Sequence, residues 1–263
     1  MSSLALAVRD SSTMLRRNLL HARRYPSLTL NLLLTPVMLL LLFVYIFGAT
    51  MSAGIGDGGG GRAAYIAYIV PGILMMTIGS TVVGTAVSVS NDMTEGIIAR
   101  FRTMAIHRGS VLVGHVIGSV LQSVASVVLV GAVGVAIGFR AVDATAVEWL
   151  AAFGLLVLFS LALTWIAVGM GLVSPNAEAA GNNAMPLILL PLLSSAFTPL
   201  DSMPGWFRPV AEYQPFTPAI ETLRGLLLGT GIGNNGWLAV GWCLGLTVLG
   251  YLWATARFNG GTK

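Results

Sequence analysis

Long apolar runs separated by short polar breaks make up most of the chain. The first run, Leu28 to Gly48, reads LTLNLLLTPVMLLLLFVYIFG and holds Pro36, an expected kink. The next three cover about Ile66 to Ser90, Val111 to Gly138, and Val147 to Val173. A fifth, roughly Asn183 to Leu200, is short and interrupted by Pro186 and Pro191, and the last covers Trp237 to Ala256. Runs of this length cross a hydrocarbon core about 30 Å thick. The pattern predicts an all-α polytopic membrane protein with six transmembrane helices.

The polar breaks have patterns of their own. In residues 1–27, Leu4, Val8, Leu15 and Leu19 recur at near-helical spacing with Arg9, Arg16, Arg17, Arg23 and Arg24 among them. This predicts a basic amphipathic helix on the inner membrane surface, with a plain basic tail as the alternative. The region is no conventional signal peptide: its basic part is long, the following run is of full span length, and no A-x-A site follows. The domain division expected is 1–27 for this cytoplasmic helix and 28–263 for the six-span body.

Between the second and third runs lies NDMTEGIIARFRTMAIHRGS, residues 91–110. Asn91 and Asp92 read as a helix start, with Glu95 three residues after Asp92 in capping-box spacing. Ile97, Phe101 and Met104 form an apolar stripe, Arg100, Arg102 and Arg108 fall mostly elsewhere, and Gly109 ends the helix. Two readings stand: a basic loop resting on lipid headgroups, or a rigid lever gripped by a cytoplasmic partner. Residues 174–183, SPNAEAAGNN, read as a second short loop on the same side.

Before the last run, residues 197–229 carry prolines 199, 204, 209, 215 and 218, with Trp206 and Phe207 suited to an interface. Pro218 begins a helical run too short to span, in which Glu221 and Arg224 stand in i, i+3 register. It reads as a re-entrant or interfacial helix on the outer leaflet, with a plain extracellular loop as the alternative.

Composition supports the membrane reading. Of 263 residues 56% are hydrophobic and 9% charged, against roughly 25% charged in soluble domains. Six spans put both termini on one side. With the termini inside, the inner segments hold ten basic residues (Arg9, Arg16, Arg17, Arg23, Arg24, Arg100, Arg102, Arg108, Arg257 and Lys263). The outer segments hold only Arg62, Arg140, Arg208 and Arg224, so basic residues favour cytoplasmic termini. Gly114 with Gly118, Gly134 with Gly138, and Gly241 with Gly245 have the small-residue spacing that permits close helix approach.

The available chemistry is sparse. Lys263 is the only lysine, so a phosphate-binding P-loop, which needs G-x-x-x-x-G-K-[ST], is impossible in this sequence. The run GDGGGGR, residues 56–62, reads as a flexible linker, and ATP that powers the protein would be bound by another chain. Cys243 is the lone cysteine, which excludes a disulfide framework and a Cys-rich metal site. No H-E-x-x-H or G-x-S-x-G motif is present, and no catalytic residues are expected. The third run holds His115 and Gln122, read as ordinary interfacial or packing residues. No relay of ionisable groups is visible, which weighs against a proton-driven carrier. A stand-alone secondary carrier or channel remains the alternative reading, since a sodium-coupled site could be built from carbonyls.

Three of these stretches and the six-span layout resemble the membrane subunits of ABC type-2 exporters, especially the daunorubicin-resistance (DrrB-like) branch. The stretches are the basic N-terminus, MTEGIIARFRTMAIHRGSVLVG, and PLDSMPGWFRPVAEYQPFTPAIETLRGLLLG. The resemblance implies that the 91–110 segment is a coupling helix seated on a nucleotide-binding ATPase subunit. Asp92, Thr94, Glu95, Gly96, Arg100, Phe101 and Arg102 are then the contact positions, and Pro175, Asn176 and Glu178 form a second cytoplasmic contact. The outer re-entrant helix is marked by Pro218, Glu221 and Arg224. Further implications are ATP and Mg held by the partner, no cofactor or metal in this chain, and a second permease copy or homologous permease. Also implied are a hydrophobic drug, antibiotic or lipid-like substrate, no nucleic acid, and the bacterial cell membrane as location. The run before the Glu95–Gly96 pair, Asn91–Asp92–Met93, is less charged than the family pattern.

Overall fold

The computed structural model describes residues 26–48, 61–94, 108–141 and 144–260, with side chains for all of these except 26–33 and 108–111. Among the described residues every regular element is a helix. Helix α1, Pro26–Leu42, passes into a π-helical turn, Phe43–Phe47. Helices α2 (Gly61–Thr94), α3 (Arg108–Ala136) and α4 (Ala146–Val173) follow. Then come α5 (Ala177–Ala184), α6 (Pro186–Leu189), 3-10 turns at Leu190–Leu193 and Leu200–Ser202, α7 (Arg208–Tyr213), α8 (Phe216–Leu228) and α9 (Asn235–Gly260). Four of these helices, α2, α3, α4 and α9, are long and apolar enough to cross a membrane.

Helix α2 is the axis of the bundle. Its Tyr65, Ile69, Ile73, Met75 and Ile78 are fully buried, and so are Phe159 of α4 and Phe216, Ile220 and Leu223 of α8. The Phe159 and Phe216 rings meet edge to face at 4.9 Å. Helix α3 runs antiparallel to α2: His115 meets Asp92 near one end, and Gly134 faces Val70 near the other. Helix α9 packs on α4 and α8 and exposes Trp237, Leu244, Val248, Leu249 and Leu252. Along α3, Val113, Ile117, Leu121 and Val128 form a second exposed apolar stripe. Apolar faces of this extent suit hydrocarbon as solvent.

Local chemistry sets the helix ends. Helix α4 begins with a capping box: the Thr145 hydroxyl accepts from the Glu148 N–H, and the Glu148 carboxylate accepts from the Thr145 N–H at 2.7 Å. Helix α3 stops at Gly138, whose φ of 116° takes the chain out of the helical region. Beyond it the Arg140 guanidinium donates to the carbonyls of Val135 and Phe139.

Helices α4 and α9 fit through reciprocal notches. Gly250 leaves room for the backbone and Cβ of Trp165, and Gly169 leaves room for the Trp253 ring. Trp165 also meets Tyr251 edge to face at 5.1 Å.

Two expected elements differ from the sequence pattern. The expected loop at 174–183 is largely helix α5, started by Asn176, whose Oδ1 accepts from the Ala179 N–H at 2.8 Å. The expected fifth span is no continuous helix. Pro186 and Pro191 lack the N–H groups a helix needs, and the chain passes through a four-residue helix and a 3-10 turn. This broken segment still follows α2 from the level of Val87, near Gly181, to the level of Tyr68, which bonds Ser195. At 1.5 Å per helical residue that is roughly 28 Å. Gly72 and Gly79 of α2 admit it: a Cβ on Gly72 would meet Ala196 at 2.7–2.8 Å, and one on Gly79 would strike the Leu187 carbonyl.

Candidate functional site

Among the described residues, each end of α2 carries a polar centre. At its C-terminal end the helix continues through Asn91 and Asp92 to Thr94. The expected helix start at Asn91–Asp92 is therefore the last turn of a long helix. The Thr94 hydroxyl donates back to the carbonyls of Ser90 and Asn91. Asp92 does not face outward as a partner contact would: it is 8% exposed, and its Oδ2 lies 2.9 Å from Nε2 of His115, itself 4% exposed. Spacing alone suggested a cap for Asp92 because it carries no information about the antiparallel neighbour that turns this carboxylate inward.

Farther along the α2–α3 interface the Thr85 hydroxyl donates to Ser119 at 2.6 Å, and Ser119 lies 3.2 Å from Thr164 of α4. This rung joins three helices through buried hydroxyls. Still deeper, Ser123 and Ser160 line a small cavity with Ile78, Val127, Phe153 and Leu156. A signal for this seam was present in the sequence. Thr77, Thr81 and Thr85 recur every fourth residue on α2, as do His115, Ser119 and Ser123 on α3.

Of the expected partner-facing residues, Thr94, Pro175, Asn176 and Glu178 are exposed at this same end of the bundle. Glu95, Gly96, Arg100, Phe101 and Arg102 lie outside the described residues, as do residues 1–25 with the expected N-terminal helix.

The opposite end of α2 holds the second centre. Arg224 of α8 is 7% exposed, and its Nη1 pairs with Glu221 at 2.5 Å. Its Nη2 donates to the carbonyls of Tyr68 and Ser195, both at 3.1 Å, and its guanidinium lies 3.9 Å from the Tyr68 ring centre. The Tyr68 hydroxyl donates to the same Ser195 carbonyl at 2.8 Å. The Ser195 N–H donates to Thr217, whose hydroxyl donates to the Ala211 carbonyl, and Gln214 donates to the Leu190 carbonyl. Carbonyls freed by the broken segment thus find donors inside the protein, as irregular backbone in a membrane requires. Helix α8 starts at Phe216, two residues before the expected Pro218, which is buried in its first turn where a missing N–H costs little. Tyr68, Ser195, Thr217 and Gln214 were not singled out in the sequence, because each completes a contact between distant segments.

The arrangement offers anchoring and packing. Among the described residues no cluster of His, Cys, Asp and Glu could hold a metal ion. Residues 10–228 match the ABC-2 type transporter family. The chain belongs to that family. It is 28% identical over 228 residues to the "Daunorubicin resistance ABC transporter permease protein DrrB1" of Streptomyces coeruleorubidus, covering 86% of this chain and 77% of that protein. It is 21% identical over 160 residues to the "Probable doxorubicin resistance ABC transporter permease protein DrrC" of Mycobacterium tuberculosis, covering 59% of this chain and 57% of that one. As an ABC-2 transporter, this multi-pass membrane protein is a permease, the part of the machine that forms the route through the bilayer.

Proposed function

We propose that this permease exports an amphipathic drug, antibiotic or lipid-like molecule and is driven by a separate nucleotide-binding subunit that holds ATP and Mg. Six crossings are assigned: α1 with its π-turn, α2, α3, α4, the broken segment over roughly 183–200 and α9. Helix α8 is assigned as re-entrant from the outer leaflet. Both termini lie on the cytoplasmic side of a bacterial cell membrane, following the ten-to-four bias of basic residues. A second permease copy, or a homologous one, completes the route.

The observation that carries this reading is the clustering at one end of the bundle. Exposed Thr94 and the exposed Pro175–Glu178 turn lie at the end where the 95–107 connection leaves α2 and re-enters α3. A cytoplasmic ATPase docked there would touch the connection through Glu95, Gly96, Arg100, Phe101 and Arg102, and α5 through Pro175, Asn176 and Glu178. The names of the relatives supply the probe: doxorubicin is an amphipathic amine, and the apolar faces of the bundle suit it. Asp92 and His115 form the one titratable pair at this end among the described residues, and nothing ionisable continues from it into the bundle. A proton-driven carrier would need such a continuation.

The test is to change Glu95 and Arg102 to Ala and measure copurification with the ATPase and ATP-dependent doxorubicin efflux. Both are expected to fall. Unchanged association together with unchanged efflux would refute the docking assignment.

A further inference from the structure

Residues 94 and 108 bound the connection between α2 and α3, and close behind it the two helices meet at the Asp92–His115 pair. The pair sits in the last turn of one helix and the second turn of the other. Val89, Leu112, Val116, Trp165, Val168, Ala254 and Phe258 form a buried cluster at the same end. Seven residues back along α2, and one turn on along α3, the Thr85–Ser119–Thr164 rung extends the linkage to α4. A carboxylate and an imidazole at these depths are costly to bury, and the 2.9 Å contact between them offsets part of that cost.

We infer that Asp92 and His115 form a clamp that makes the inner ends of α2 and α3 one mechanical unit, and that the clamp sets how much substrate moves per ATP hydrolysed. This rests on the ATP-driven reading above. A push on the connection reaches two helix ends at once. Without a link between them, each end yields separately and the displacement is absorbed in the last turns. With the link closed, α2 and α3 tilt together, and the hydroxyl rung draws α4 with them. Asp92 and His115 are positioning residues: they touch neither substrate nor nucleotide.

The experiment uses the permease with its ATPase in proteoliposomes and doxorubicin as probe. His115→Ala and Asp92→Ala are expected to keep the ATPase bound and hydrolysing ATP, while doxorubicin moved per ATP falls roughly tenfold or more. The exchanged pair, Asp92→His with His115→Asp, restores the ratio to within about twofold of wild type, well short of that loss. Single variants that assemble and hydrolyse ATP with an unchanged ratio would overturn the clamp. A second measurement is independent of how well those variants fold. Spin labels on exposed Asn91 and Val113 of the otherwise wild-type protein report the α2–α3 separation with and without ATP. One unchanged narrow distance is expected, and a nucleotide-dependent change of several ångströms would overturn the inference. Wild type that fails to transport with ATP contradicts the export reading itself, which separates the two failures.

Discussion

Arg224 donates from Nη2 to the main-chain carbonyl of Ser195 at 3.1 Å, joining a helix too short to span to a segment that proline has stopped from being a helix. The same guanidinium holds Glu221 and the Tyr68 carbonyl. Lysine lacks the planar fork that serves these three acceptors together. Arg224→Met and Arg224→Lys are expected to destabilise the protein by about 3 kcal/mol, measured by unfolding in mixed micelles. Glu221→Gln, at a partly exposed position, costs about 1 kcal/mol. A wild-type unfolding curve for Arg224→Met would mean that the carbonyls of the broken segment need no such anchor.

The notches of α2 give a second prediction. Gly72→Ala and Gly79→Ala each place a methyl against the backbone of the broken segment, at an expected cost of about 1–3 kcal/mol. Gly241→Ala and Gly245→Ala face open space and should stay within about 0.5 kcal/mol of wild type in the same assay. Equal effects at all four positions would contradict the packing described.

The α4–α9 contact can be separated by a double-mutant cycle. Gly169→Ala pushes a methyl into the Trp253 ring, so its cost should shrink when Trp253 is Ala. The expected coupling is about 1–2 kcal/mol. Additive costs would show that Trp253 does not fill that notch.

Sidedness is checked by cysteine labelling in a Cys243→Ala background. A cysteine at exposed Glu178 should react only with reagent on the cytoplasmic side, and one at exposed Ser202 or Trp206 only from outside. Labelling of 178 and 206 from one side would contradict the crossing assigned to the broken segment between them.

The four long helices were legible in the sequence because length and apolarity decide membrane spans almost alone. Their ends were less so. Helix α2 starts at Gly61 and runs to Thr94 rather than covering 66–90, because nothing in its flanking residues forbids a helix and the Asp92–His115 contact favours extending it. The interruption of the fifth run could be read from Pro186 and Pro191. Its course along α2 could not, since that depends on Gly72 and Gly79, two turns apart and facing the backbone of the broken segment. The glycine pairs singled out by four-residue spacing included Gly241 and Gly245, where an added Cβ would meet nothing within 4 Å among the described residues. In the candidate site, Glu221 and Arg224 were found from register alone, whereas the other partners of Arg224 come from residues 68 and 195. The polar seam had a periodic signal, but periodicity says which residues share a face and not which helix that face meets.

The central claim, a permease powered by a separate ATPase, is tested most directly by transport in inside-out vesicles. The chain is reconstituted with and without its cognate P-loop subunit, and doxorubicin accumulation is followed on adding ATP and Mg. Accumulation that requires the ATPase subunit and ATP together is the predicted result. Accumulation driven by the chain alone under an ion gradient, or none when ATP and the ATPase subunit are both present, would contradict the account.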